Sequence, residues 1–417
     1  MKRLITGVVV CALLAVCSAT CWAEQVTLTV WDQFLDETSN AVMESLVKEF
    51  EAQNPGVVVK RSVMDDDSMK TVLKTSIGSN SGPDIFYHSQ GQRHMGPLVD
   101  AGLLYDLTDV FKQMNWDTRV EKWAQLYASL GGRIWSMPHE AECHGVFYHK
   151  DIFTKLGLSE PNTYVEFLEV CQTLKDNGYT PISMGSRGQK IVGHVESPYY
   201  GAFVSDQMLY EVIYEGGSWD QAPFVATISA MKELHDKGYI PAEVNALGEE
   251  EKDMLFYGKR AGMTITGSWI LPKVLGELSE LEVGYFVLPP VPGVERKTSK
   301  ASGAGWAISA KSPNIDLAIK YLDLMISEKA TDMWINQAKL FPTTPITNTE
   351  SLHPLQRTVL AAIKGEYSAY NMSGTMPEEV NMATWSNIQK MWDGKMTPAQ
   401  VMEEKQALWH KYTALKN

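Results

Sequence analysis

Cysteine is scarce where a disulfide scaffold would need it. The 417 residues hold five, and Cys11, Cys17 and Cys21 fall in the first 21. Cys143 and Cys171 alone lie beyond them. An oxidising compartment would permit one bridge between them, and two small buried hydrophobes fit the sequence as well. Basic residues are also in short supply: 37 Lys and Arg stand against 50 Asp and Glu, a formal charge of -13. Such a chain does not condense on phosphate backbones, so nucleic acid is excluded as an ordinary partner. G-x-S-x-G, G-x-x-x-x-G-K-[ST] and G-x-G-x-x-G are all missing, which removes the usual signs of hydrolase, nucleotide and dinucleotide chemistry. "GSNSGP" is Gly-rich but has the wrong order and no Lys. There is no tandem repeat of solenoid type.

The one uncharged apolar run, "LITGVVVCALLAVCSA", is shorter than the ~20 residues of a membrane span, and no stop-transfer charges follow it. Lys2 and Arg3 precede it, and Cys21 and Ala23 occupy the small-residue positions of a cleavage site. Residues 1–23 therefore read as a secretory signal cut before Glu24, which directs the chain to the periplasm. The alternative is a lipid anchor on Cys17 or Cys21. The residues before them, Val16 and Thr20, are not the Gly, Ala or Ser usual there.

What is present is an α/β grammar on a chain too long for one typical core, so two lobes are expected. "VTLTVWDQF" alternates as a strand does. In "SNAVMESLVKEFEAQNPG", Val42, Leu46, Val47 and Phe50 share a helical face that Asn54-Pro55-Gly56 ends. "VVVKRSVM", a helix ending in Gly, Ser and Pro, and "DIFYHS" continue the alternation. "GRIWSMP" and "CHGVFYHKDIF" read as two strands joined by "HEAE". Helices follow over 163–177, 199–215 and 222–237. "GKRAGMTITGSWILPKVL" reads as strand, loop and helix, and "SGAGWAISAKSPNIDLAIKYLDLMI" as strand, turn and helix. The C-terminal segment reads as helical, with Pro398 opening the last helix and Thr397 as its cap.

His139, Glu140, Glu142 and His144 crowd one short stretch. The two His are five apart, which places them on different faces of a helix, and Pro138 precedes them, so the zinc-helix pattern fails. No metal is expected. Glu140 and Glu142 lie about 6–7 Å apart if they share a strand, which leaves a carboxylate pair for glycoside hydrolysis open. Nothing else in the chain points to hydrolysis. Twelve Trp and 17 Tyr offer many flat apolar surfaces.

In order and spacing, "LTVWDQF", "GPDIF", "LVDAGLLYDLTD", "GRIWSMPHEAECHGVFYHKDIFTKLGL", "MTITGSW", "GAGWAISAKSPN" and "LFPTTP" resemble the extracellular solute-binding proteins of ABC importers, family 1. The likeness covers nearly the whole chain after residue 23. His149 departs from it, standing where the family commonly has Asn. The resemblance implies a non-catalytic clamshell of the periplasmic-binding-protein class II type, maltose-binding-protein-like, with two α/β lobes closing by a hinge over a ligand cleft. It implies lobes of 24–135 with 298–346 and of 136–297 with 347–417. It implies crossings near Trp135 to Pro138, near Val294 to Gly303 and after Pro345. No cofactor is implied. The partners implied are a small carbohydrate and the membrane permease subunits, with the chain acting as a monomer.

On that resemblance Trp31 and Asp32 end the first strand at the cleft, to stack on a sugar ring and accept its hydroxyls. A core Trp and a helix-start Asp is the competing reading. Of the acidic triplet Asp65 to Asp67, Asp67 is the candidate, against a solvated turn. Tyr87 and Gln90 follow the third strand. His139 and Glu142 sit in the hinge region, and Trp269 follows "TITGS" at a cleft-facing position. Trp306 is a ligand group or hinge packing, and Phe341 a cleft edge. Gly303 and Gly305 let backbone pass close to other groups. Asp84 is expected to be a structural cap, and Trp385 and Trp392 to be packing residues. Trp with Asp, Glu and Gln suits a neutral polyhydroxylated ligand, a mono- or oligosaccharide. Arg93, Arg187 and Lys190 keep open a polyol phosphate or other anionic solute. N-terminal sequencing of the exported protein is expected to start at Glu24; an acylated cysteine as first residue would establish the anchored form instead.

Overall fold

The computed structural model describes residues 25–365 and 368–414. The expected leader, with Cys11, Cys17, Cys21 and the expected cleavage junction before Glu24, lies outside them. The described strands are β1 (Val26–Asp32), β2 (Val57–Val63), β3 (Ile85–Ser89), β4 (Ser129–Leu130), β5 (Arg133–Ile134), β6 (Met137–Pro138), β7 (Ala141–His149), β8 (Thr180–Ser183), β9 (Ala261–Gly267), β10 (Val283–Phe286), β11 (Thr298–Ser302), β12 (Ala304–Ile308) and β13 (Ser368–Tyr370). They form one sheet in the order β2-β1-β3-β12-β6 and a second in the order β13-β11-β7-β9-β8, with β10 also on β7. Each sheet is the middle layer of one lobe. β4 and β5 make a separate hairpin, turned by Gly131 and Gly132 at φ 60 and 74, where a side chain would be strained.

The first sheet begins as the alternation predicts. Leu28, Val30 and Asp32 of β1 are buried on one face. Asp36 caps the following helix Glu37–Gln53 by accepting from the Ser39 N–H at 2.8 Å. Val42, Met43, Leu46 and Phe50 then pack into the same core as Leu28 and Val30. Asp84, expected as a structural cap, has a structural role of another kind: it accepts the Thr29 N–H at 2.7 Å and the Ser312 hydroxyl at 2.5 Å, tying β1 to the segment after β12. In the second lobe, β7 is covered on both faces. Val146 and Tyr148 point into one core, Cys143 and Phe147 into the other. Cys171 lies in the core with Val146, across the sheet from Cys143, and both thiols are free. The helix expected over 199–215 is divided into Lys190–Phe203 and Asp206–Tyr214, because Ser205 caps the second piece. The last helix does start at Pro398, with the Thr397 hydroxyl accepting from Gln400 N–H.

The chain passes between the sheets at His139–Glu140, at Gly303 and at Leu340–Pro342. This corrects the expected boundaries in detail. Residues 298–302, expected in the first lobe, pair with β7 in the second sheet, with Ala301 opposite Glu142. Met137 and Pro138, expected in the second, pair with β12 in the first. Hydrogen-bond register sets the crossing, and composition carries no mark of it.

Beneath the second lobe's helices a fully buried ion pair joins Lys405 to Glu196 at 2.9 Å. Glu196 also accepts from the Trp385 indole at 2.7 Å, and the Lys405 ammonium sits 4.2 Å from the Trp219 ring centroid. Burial lowers the Lys405 pKa against the pull of Glu196. Removing one partner strands the other charge without water. K405M is expected to lose about 3–5 kcal/mol of stability in urea unfolding, and K405M with E196L to recover more than half of that. A single variant as stable as the parent would show that the pair does not hold the lobe together.

Candidate functional site

The site is built where the strand ends of both sheets face each other above the three crossings. From the first lobe come Gln33, just after β1, Ser89 at the end of β3, and Asp66 in the first turn of the helix Asp66–Gly78. Asp65 takes the cap position, accepting from Ser68 N–H at 2.8 Å, which sets Asp66 and Asp67 one step inside. Asp66 accepts from Gln33 Nε2 at 3.2 Å, from Ser89 Oγ at 3.3 Å and from the Lys70 ammonium. Burial works against its charge, but Lys70, with His88 and Lys190 behind it, holds the carboxyl below its usual pKa.

From the second lobe come Glu142 and His144, alternate residues on one face of β7. His194, on the helix Lys190–Phe203, stacks on His144 at 5.6 Å between ring centroids. Trp269, in the turn Ser268–Ile270 that follows β9, contacts both imidazoles, at 5.2 Å from His144 and 4.7 Å from His194. Burial pushes the pKa of His144 and of His194 well down. Lys252 and Lys190 add to the effect at His194, so both rings are neutral at pH 7.

Glu142 stands out within this group. Among the described residues none donates a hydrogen bond to its carboxylate. The carboxylate lies over Gly303, where a Cβ would come within 1.9 Å of it. This is the close approach expected of that glycine. Burial raises its pKa well above the normal range, and the negative charges of Glu140 and Asp66 raise it further. Asp66 belongs to the opposite lobe, so the two sides of the seam sense each other electrostatically. Glu140 differs in having a donor, the Tyr87 hydroxyl at 3.2 Å.

Of the sequence candidates, Trp269 and Glu142 line the seam. Asp67 sits at its lip, exposed, and is paired across it with Lys190 at 2.9 Å. Trp31 is half-buried against the core under the helix Asp66–Gly78. The others are corrected. Asp32 is fully buried and bound by Arg61 through two contacts of 2.7 and 2.9 Å, so its acceptors are occupied. Tyr87, His139 and Trp306 belong with Phe34 and Trp334 to an aromatic cluster inside the first lobe. Ring centroids there are 4.8 Å apart for Tyr87–Trp306 and 4.7 Å for His139–Trp334. Trp306 has no exposed surface, and burial lowers the His139 pKa to about 3. Phe341 is a core residue of the second lobe. Gln90 braces the crossings, donating to Ser136 Oγ at 2.8 Å and accepting from the Ser302 hydroxyl. Gln33, Asp66, His144 and His194 were not selected from the sequence. The capping rule applied to "DDDS" assigns Asp65 to the cap and leaves Asp66 and Asp67 in the first turn, and the strand alternation through Glu142 reaches His144.

The family model described as bacterial extracellular solute-binding protein matches residues 36–332. The multiple sugar-binding protein of Streptococcus mutans is 26% identical over 318 residues, covering 74% of this chain and 72% of that one. Among solved structures, a chitin oligosaccharide binding protein superposes with a TM-score of 0.82 at 19% identity, covering 94% of this chain and 100% of that one. The maltose/maltodextrin-binding domain MalE from Bdellovibrio bacteriovorus, bound to maltotriose, gives 0.75 at 16% identity, covering 93% and 100%. These likenesses establish the fold class, the two-lobed α/β architecture of maltose-binding-protein-like chains.

Glu142 also predicts a pH signature. Its folded pKa lies above the unfolded value of about 4.3, so the folded state binds the proton more tightly and ionised Glu142 destabilises the empty protein. E142Q is expected to melt above the parent at pH 8, and the gap to close as pH falls through the raised pKa towards that unfolded value. A gap that does not vary with pH would rule out an ionised, unpaired Glu142.

Proposed function

The chain belongs to the bacterial extracellular solute-binding proteins, and from that premise we propose that it captures a mono- or oligosaccharide between its lobes and delivers it to an ABC permease. The observation that carries the sugar assignment is Glu142, a half-buried carboxylate without a donor among the described residues, on the same face of β7 as His144, whose ring the Trp269 indole contacts. A sugar supplies what both lack: hydroxyls for the carboxylate and a CH face for the ring. Asp66, Gln33 and Ser89 present further acceptors and donors from the other lobe, so a ligand touching both sides would favour the closed state. The sugars named for the similar proteins agree with this reading.

An anionic solute fits less well. Lys70 and Lys190 are neutralised by Asp66 and Asp67. A phosphate placed in the seam would also meet Glu142. Transport in the periplasm after removal of residues 1–23, docking on permease subunits and action as a monomer complete the proposal.

A thermal-shift series on the full mature chain tests it, with maltose, maltotriose, xylobiose, chitobiose, N-acetylglucosamine, glycerol 3-phosphate and single amino acids. A ligand that binds only the folded form raises the melting temperature. A rise with one sugar series is expected. W269A should then weaken that sugar at least tenfold, about 1.4 kcal/mol, with an unchanged melting temperature for the empty protein. A rise with the phosphate alone would overturn the sugar and keep the transport role.

A further inference from the structure

Arg93 lies on a first-lobe helix, Gln92–Asp100, but its guanidinium engages the second lobe. It makes a two-pronged contact with Glu378, with Nε donating to Oε2 and Nη2 to Oε1, the latter at 3.3 Å. Nη2 also lies 3.9 Å from the sulfur of Met382. The guanidinium carbon sits 4.7 Å from the centroid of the Trp385 ring. The Arg93 side chain is 10% exposed although its partner Glu378 is 49% exposed, and Trp385 is completely covered. Two residues earlier the lobes meet backbone to backbone: a Cβ on Gly91 would fall 2.4 Å from the Gly374 carbonyl oxygen. The base of the Arg93 side chain is therefore fixed against the second lobe.

Trp385 is closely tied to the candidate site. Gly193 lies directly on its ring, where a Cβ would come within 2.4 Å of Cζ2. The next residue is His194, whose ring touches Trp269. Arg93 is also among the positive charges that depress the pKa of His194. Trp269 and Trp385 are thus two indoles joined through the Gly193–His194 step. The first is part of the seam. The second has Arg93 on it, held by a cation–π contact and a charge-assisted pair.

We propose that Arg93 sets the length of the ligand: it occupies the face of Trp385 that one more sugar ring would need, so the protein takes a short saccharide and excludes longer ones at that end. This rests on the sugar reading above. An indole stacks on a sugar's CH face as readily as on a guanidinium, so removal of Arg93 opens a second platform next to the first.

The test uses the full mature chain and calorimetric titration with the mono- to tetrasaccharide members of the malto-, xylo- and chito-oligosaccharide series. The parent is expected to bind its mono- or disaccharide at least tenfold more tightly than the tetrasaccharide. R93A should reduce that ratio at least tenfold. E378A, which leaves Arg93 in place without its anchor, should move the ratio the same way by a smaller factor. Acrylamide quenching of the empty protein gives a readout independent of sugar: R93A should gain a quenchable component that R93A/W385F lacks. A parent that holds the tetrasaccharide as tightly as the disaccharide overturns the proposal while leaving the sugar reading intact. So does an R93A length profile within twofold of the parent's, or no gain in quenching. Failure of every rung on both proteins removes the sugar reading, and the proposal with it.

Discussion

The whole arrangement depends on the lacing of three chain crossings to one another by backbone hydrogen bonds. Glu140 N–H donates to Ala304 C=O at 3.0 Å, and Gly303 N–H returns to Glu140 C=O at 2.9 Å. Ala141 N–H bonds Phe341 C=O at 2.7 Å, and Thr343 N–H bonds His139 C=O at 2.8 Å. Gln90 N–H joins from the first sheet, donating to Gly303 C=O at 3.0 Å. Buried peptide groups must be paired, and here the pairings couple the crossings to one another and to the end of β3. A rotation between the lobes must therefore be absorbed by the dihedrals of these few residues, as hinges generally require. The same lacing places Glu142 two residues past a crossing, where no side chain of Gly303 stands in its way.

Local order was legible in the sequence because it follows local rules. The β1 alternation, the apolar stripe of Glu37–Gln53 and the Pro398 start of the last helix all appear where period, cap and proline put them. The lobe boundaries were less legible. Thr298–Ser302 has no feature that distinguishes a partner in one sheet from a partner in the other, and only pairing with β7 decides it. The site was legible in part for the same reason. Trp269 and Glu142 could be selected from motif position. Asp32 could not be recognised as occupied without knowing that Arg61, on the neighbouring strand, reaches it.

Tryptophan shows why composition misleads about binding surface. Trp116, Trp219, Trp306 and Trp334 are all fully buried, and serve as large space-fillers between layers. Trp269 differs because it follows a strand end and packs against two neutral imidazoles of its own lobe at the seam. The difference lies in where the backbone releases the side chain, not in the residue. Charge follows a similar logic. Most ion pairs here are partly exposed and add little to stability. Asp67–Lys190 and Arg93–Glu378 act between lobes, where a small energy shifts an equilibrium between open and closed forms.

The separation of Cys143 and Cys171 onto opposite faces of the second sheet has a practical reach. Both thiols are inside, and burial lifts that of Cys143 to about 12, so neither offers a thiolate to a reagent at neutral pH. Among the described residues there is therefore no disulfide for an oxidant to form and no reactive thiol on the surface. A single cysteine installed on either lip would be reactive where Cys143 and Cys171 are not, and a dye attached there would report, molecule by molecule, the opening and shutting of the seam.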